Sequence, residues 1–243
     1  MLTFTNAATN IVFDGDSIFA NPAPTNADRI GEKMMALAPI NGGMTYKNIA
    51  LGGATFKSMA GNGSSGIAEV HAAYESGKEN ILYLSPVRNT VDMKRADGSP
   101  YTVDDVIADA KAYTAAVLAV HPWRIFIAVA LPFQNNASDD PTKNAVIDAF
   151  NDYLRSNYAA LGAEGFVETR PPGGPFAYSP PYNYSESTFT KSGLYQDATH
   201  PTSAGNTVLA PYFANHVATI PGVAPGAAAS TASSGGNILF GWL

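Results

Sequence analysis

"IVFDGDSIFA", residues 11–20, runs apolar, stops at two aspartates, a glycine and a serine, and then turns apolar again. Ile11, Val12 and Phe13 favour a strand buried on both faces, and the Asp-Gly-Asp-Ser stretch after them is turn chemistry. The segment therefore reads as a core strand whose carboxyl end delivers Asp14, Asp16 and Ser17 to a surface. Similar β-rich apolar runs recur at 10–13, 46–51, 80–84 and 124–131, with a weaker one at 165–168. Helical spacing fills the intervals, at 26–37 with Asn26 as its cap, 103–120 and 142–161, and appears again at 203–217. This alternation predicts βαβ units, an α/β fold around a central parallel sheet. Ligands of such sheets sit beyond the carboxyl ends of the strands, which brings loops 14–17, 52–55 and 85–89 to one edge.

Composition narrows the function classes. The 243 residues suit one well-buried domain, and 46% of them are hydrophobic. Charged residues make up only 14%, against about 25% in an average soluble domain, so Ser, Thr, Asn, Gly and Ala must cover much of the surface. A net charge of -6 without a basic cluster gives no footing for nucleic acid or an anionic membrane. The absence of cysteine removes disulfides, thiolate metal sites and cysteine nucleophiles. No run approaches the ~18 apolar residues of a membrane span, and "MLTFTNAATN" has no signal-peptide pattern. Low charge without a secretion signal fits either a cytoplasmic protein or one carried on a particle such as a virion. "GNGSSG", residues 61–66, matches a dinucleotide fingerprint in letters only, because it does not follow a strand directly; it is expected to be a loop before a helix at 67–74.

Two chemistries can start from a strand followed by Asp-Gly-Asp-Ser. The Asp-x-Asp spacing of Asp14 and Asp16 resembles the opening of the haloacid dehalogenase-like phosphatases, which also require a later acidic pair to hold magnesium. Asp139 and Asp140 stand seven residues past Pro132, too far from the strand end for that task. A serine nucleophile needs a base, an acid that orients it, and donors for an oxyanion. "DATHPTSAGN", residues 197–206, supplies Asp197 and His200 three apart. "NIALGGAT", residues 48–55, offers the Gly53 N–H, and "LSPVRNTVD", residues 84–92, offers the Asn89 side-chain amide. His71, His121 and His216 have no partners at ligand spacing, so no metal and no cofactor are expected.

In order along the chain, "FDGDSI", "NIALGGAT", "SPVRNTVD" and "DATHPTSAGN" resemble the four blocks of the SGNH, or GDSL, hydrolases, over nearly all of the sequence to about residue 221. The resemblance implies a three-layer α/β/α, flavodoxin-like fold and a serine esterase. Ser17 would be the nucleophile, His200 the base and Asp197 its orienting acid, with the Ser17 N–H, Gly53 and Asn89 forming the oxyanion hole. The third block departs from the family's Gly-x-Asn-Asp, with Val87 and Thr90 at the outer positions and Asp92 as the nearest carboxylate to replace the missing one. The family's range leaves the substrate open.

Three further expectations concern surfaces. Residues 170–195 are rich in Pro, Gly and aromatic residues without a period, and read as a long loop whose Tyr178, Tyr182 and Tyr184 can stack on sugar rings. Short-chain acyl groups on a carbohydrate, or a similar small ester, are therefore the expected substrate. Arg88, beside Asn89, is a candidate substrate contact that steers an acidic group. A Gly/Ala/Ser-rich linker at 222–236 leads to the apolar peptide 237–243, expected to dock on another copy of the chain or on a particle partner. The structural alternative is a virion decoration protein that uses an SGNH-like domain, active or vestigial.

Overall fold

The computed structural model describes residues 8–20, 25–37, 44–61, 66–133, 141–176, 193–196 and 199–223. Its centre is a five-stranded sheet of β1 (Thr9–Gly15), β2 (Met44–Asn48), β3 (Glu79–Ser85), β4 (Arg124–Ala128) and β5 (Gly165–Val167). The spatial order is β2-β1-β3-β4-β5 and every pairing is parallel. Helices α1 (Ser17–Ala20), α2 (Ile30–Met35), α3 (Phe56–Ala60), α4 (Ile67–Ala73), α5 (Val87–Val91), α6 (Val103–Leu118), α7 (Pro141–Asn157) and α8 (Ser203–Thr219) complete the fold.

Successive strand side chains point to opposite faces, and here both faces are buried. Val12, Leu82 and Ile127 enter one apolar core with Phe56 of α3, Tyr113 of α6 and Phe150 of α7. Ile11, Phe13 and Tyr83 enter the other with Phe19 of α1, Met34 of α2 and Phe213 of α8. These two cores make the α/β/α layering. Val223 is 4% exposed and packs within the second core. The rest of the linker and the apolar peptide, residues 224–243, lie outside the described residues.

Three elements depart from expectation, the first because side chains have taken over backbone hydrogen bonds. The run 124–131 reads as one strand, yet β4 ends at Ala128. Asn151 of α7 accepts from the Ala130 N–H at 2.8 Å and donates to the Ala130 carbonyl at 3.0 Å, and Asn144 does the same for Phe133. The helix expected at 26–37 is instead a 3₁₀ turn, Asn26–Asp28, then α2, because Arg29 between them is extended at φ -65°, ψ 153°. The helix expected at 142–161 ends as a 3₁₀ turn over Tyr158–Leu161, closed by Gly162 at φ +74°.

β1 stops where it does because of Gly15. Its φ is +149°, and a Cβ there would lie 2.8 Å from the backbone carbon and oxygen of Ser85 in the neighbouring strand. The chain crosses the end of β3 at a distance that only glycine permits. Gly15→Ala is accordingly expected to destabilise the fold by about 3 kcal/mol, the upper range for forcing extra volume into a packed site. Urea denaturation checks this, and a loss below about 1 kcal/mol would show that the two strand ends can separate without cost.

Candidate active site

Gly15 and Asp16 turn the chain from β1 directly into α1, so Ser17 is the first residue of a short helix at the carboxyl edge of the sheet. The turn is fastened from inside. Asp16 Oδ1 accepts from the Ile18 N–H at 2.9 Å, its own N–H donates to the Ser85 carbonyl at 3.2 Å, and its carbonyl accepts from Ala20 at 3.0 Å. Its Oδ2 is buried with no hydrogen-bond partner among the described residues, and the charge of Arg88 and the backbone N–H groups of Arg88 and Asn89 favour its ionised form. Burial outweighs these favourable contacts and pushes the Asp16 pKa up to about 7.

His200 reaches Ser17 from the other end of the chain, with Nε2 2.9 Å from Ser17 Oγ. Its loop is pinned on both sides. The Gln196 N–H donates to the His200 carbonyl at 2.9 Å and the Thr202 N–H to the Leu194 carbonyl at 2.8 Å, around an antiparallel bridge between Tyr195 and Pro201. Thr202 caps α8 by accepting from the Gly205 N–H at 3.1 Å. Asn206 Nδ2, in the first turn of α8, donates to the Asp28 carbonyl at 2.8 Å, which anchors this helix start against the turn before α2. Sequence spacing pairs Asp197 with His200, but Asp197 lies outside the described residues, as do Tyr178, Tyr182 and Tyr184.

The two expected donor loops flank the serine. The loop after β2 is joined to the Ser17 turn by the Leu51 N–H, which donates to the Gly15 carbonyl at 3.0 Å. A Cβ added at Gly52 would lie 3.9 Å from Ser17 Cβ, and Gly53 adopts φ +83°, a left-handed conformation that favours glycine. Asn89 lies in α5, directly after β3, and its Nδ2 is buried with no hydrogen-bond partner among the described residues. A buried amide without an acceptor costs free energy unless a ligand supplies one.

Thr90 fills the place of the missing third-block aspartate. Its hydroxyl accepts from the Phe56 N–H at 3.0 Å and donates to the Pro86 carbonyl at 2.8 Å, locking α5 to the start of α3. Asp92, the expected stand-in, is at the surface in an ion pair with Lys143. Arg88 is placed differently from its expected role as a substrate contact. It is 2% exposed, Nη1 donates to the Thr199 carbonyl, and the guanidinium lies over the Phe133 ring at 4.2 Å, so it sits beneath the site.

The phosphatase alternative fails on burial, since Asp14 and Asp16 are both 0% exposed and neither carboxylate can reach a phosphoryl group. Asp14 turns inward, accepting from the Tyr113 hydroxyl and from the Gly15 N–H at 2.8 Å. Burial pushes its pKa up to about 7. The folded state thus holds a proton that the unfolded chain releases near pH 3.8, and stability from this group is lost as pH rises from about 4 to about 7. The melting temperature of Asp14→Asn, relative to wild type, is therefore expected to climb across that interval and level off above it. Parallel melting curves from pH 4 to 8 would contradict this.

The remaining histidines are occupied elsewhere. His216 Nδ1 is 3.0 Å from the Tyr83 hydroxyl, and burial pushes its pKa down to about 4. His121 stacks on Tyr74 at 4.1 Å, and His71 meets His121 edge-on. Among the described residues, no group of three or more His, Asp or Glu could hold a metal ion, and no helix is long and apolar enough to cross a membrane.

The five-stranded parallel sheet with its flanking helices has counterparts among solved structures. A protein from Parabacteroides merdae assigned to the GDSL-like lipases superposes with a TM-score of 0.55 at 15% identity, covering 86% of this chain and 95% of that one. The fold is that of the SGNH, or GDSL, hydrolases. Est24, a carbohydrate acetylesterase from Sinorhizobium meliloti, shares the SGNH fold with a TM-score of 0.53 at 15% identity over 86% of this chain and 98% of its own. Axe2, an acetylxylan esterase from Geobacillus stearothermophilus, gives 0.52 at 16% identity over 86% and 94%. No protein-family model and no curated protein sequence matches the chain.

Proposed function

We propose that this protein is a serine esterase that hydrolyses carboxylic esters through an acyl-enzyme on Ser17. The observation that carries the reading is the 2.9 Å contact between Ser17 Oγ and His200 Nε2, made by residues 183 positions apart. In the first step His200 Nε2 takes the hydroxyl proton as Ser17 Oγ attacks the ester carbonyl, and the carbonyl π electrons move to oxygen. The oxyanion accepts from the N–H groups of Ser17 and Gly53 and from the unpartnered Asn89 amide. Collapse of the tetrahedral intermediate breaks the bond to the alcohol oxygen, which leaves with the proton held by His200. Water then repeats the sequence on the acyl-enzyme and releases the acid. Asp197 orients the imidazole and offsets its positive charge. No step requires a metal or an organic cofactor.

Short acyl groups on a carbohydrate are the substrate class of this reading. Two observations support it: the SGNH fold is shared with a carbohydrate acetylesterase and an acetylxylan esterase, and the chain carries Tyr178, Tyr182 and Tyr184 close together in sequence. Flat amphipathic rings of this kind suit sugar faces. The test compares p-nitrophenyl acetate, butyrate and octanoate with acetylated xylan in the presence of EDTA. The expected result is hydrolysis that is fastest on acetate, unaffected by EDTA, and accompanied by acetate release from the polymer. A preference for octanoate would overturn the substrate class, and magnesium-dependent cleavage of p-nitrophenyl phosphate without ester hydrolysis would overturn the reaction.

A further inference from the structure

We infer that Arg88 is a positioning residue, a buried strut that holds the His200 loop in register with the Ser17 turn. The inference rests on Ser17 and His200 being the reacting pair. Arg88 Nη1 donates to the carbonyl of Thr199, the residue immediately before His200. Its charge favours the ionised form of Asp16, the residue immediately before Ser17. The flat face of the guanidinium covers the Phe133 ring at 4.2 Å. One side chain therefore holds the residue before His200 and acts through its charge on the residue before Ser17, while its own helix, α5, carries Asn89.

The chemistry suits a guanidinium and no other cation. A planar fork can donate in its plane to a carbonyl, face a carboxylate and stack on an aromatic ring at once, whereas an ammonium is a point charge that does none of the stacking. That charge reduces the cost of ionising Asp16, which is 0% exposed. At 2% exposure the Arg88 side chain stays clear of substrate, so it acts through the residues it holds. Displacing His200 Nε2 from Ser17 Oγ by even 1 Å would slow proton transfer without touching the acyl or alcohol pockets.

The experiment uses the full chain, with kinetics on p-nitrophenyl acetate for Arg88→Lys, Arg88→Met and Arg88→Ala beside Ser17→Ala. Arg88→Met is expected to lose about 10²-fold in kcat, Arg88→Lys about 10-fold, with KM within about threefold of wild type and unchanged circular dichroism. Millimolar methylguanidinium is expected to restore much of the activity of Arg88→Ala in a saturable way, and methylammonium to restore none, a response that general loosening of the fold would not give. Wild-type kcat in folded Arg88→Lys or Arg88→Met overturns the strut, as does a folded Arg88→Ala without guanidinium rescue. Should the shorter variants fail to fold, Arg88→Lys decides alone, and its own failure to fold would make Arg88 a requirement of the fold rather than of the site. Ester hydrolysis that survives in Ser17→Ala would instead overturn the serine reading itself, whatever the Arg88 variants do.

Discussion

Ser17→Ala and His200→Ala are each expected to lower kcat for ester hydrolysis by on the order of 10³-fold or more, with the fold unchanged. In the proposed mechanism Ser17 Oγ forms the covalent bond and His200 moves the protons, so alanine at Ser17 leaves only a site that binds the ester and polarises its carbonyl. His200 both removes the hydroxyl proton and returns a proton to the leaving alcohol, at a nitrogen 2.9 Å from Oγ. Because the two groups act on the same proton, the double variant is expected to be no slower than either single one within about threefold. Additive losses would mean that serine and histidine act independently. Steady-state rates on p-nitrophenyl acetate for the three variants, with thermal melts to verify folding, provide the comparison.

Asn89→Ala is expected to cost about 10² to 10³ in kcat while KM stays within about threefold, because an oxyanion donor strengthens its bond only as charge develops. The structural basis is the buried Nδ2 that no described residue satisfies. Removing an amide that lacks a partner also relieves a cost to the resting protein. Asn89→Ala should therefore melt at or above the wild-type temperature while losing activity. A variant with wild-type kcat and a lower melting temperature would instead make Asn89 a structural residue.

The fold was legible in the sequence because it rests on local pattern, and the residues proposed to react were named from two short blocks that the fold brings within 2.9 Å. Alternation with a buried strand period gave five runs in the right places, and the turn residues after Phe13 marked where the first strand ends. The end of β4 was not legible, since Asn144 and Asn151, which replace its strand bonds, come from a helix that starts thirteen residues later. The short helix α5 was hidden for a related reason: five residues, Val87–Val91, are too few to show a helical period, and the bond from the Phe56 N–H to Thr90 fixes them to α3. Arg88 was misplaced by sequence reasoning because neighbours in sequence say nothing about depth. Its carbonyl partner is 111 residues away, and its buried position depends on Phe133 and Asp16. A cation inside an otherwise apolar and neutral block, "LSPVRNTV", was the one available signal, because buried arginines are rare unless paired.

The central claim is that Ser17 is an activated nucleophile rather than the cap of a short helix, and covalent labelling addresses it without any choice of substrate. Incubating the full chain with a fluorophosphonate and measuring intact mass is expected to give a single adduct, mapped to the peptide containing Ser17. The adduct should be absent in Ser17→Ala and form much more slowly in His200→Ala. A wild-type chain that stays unmodified, or that carries the label at another residue, would contradict it.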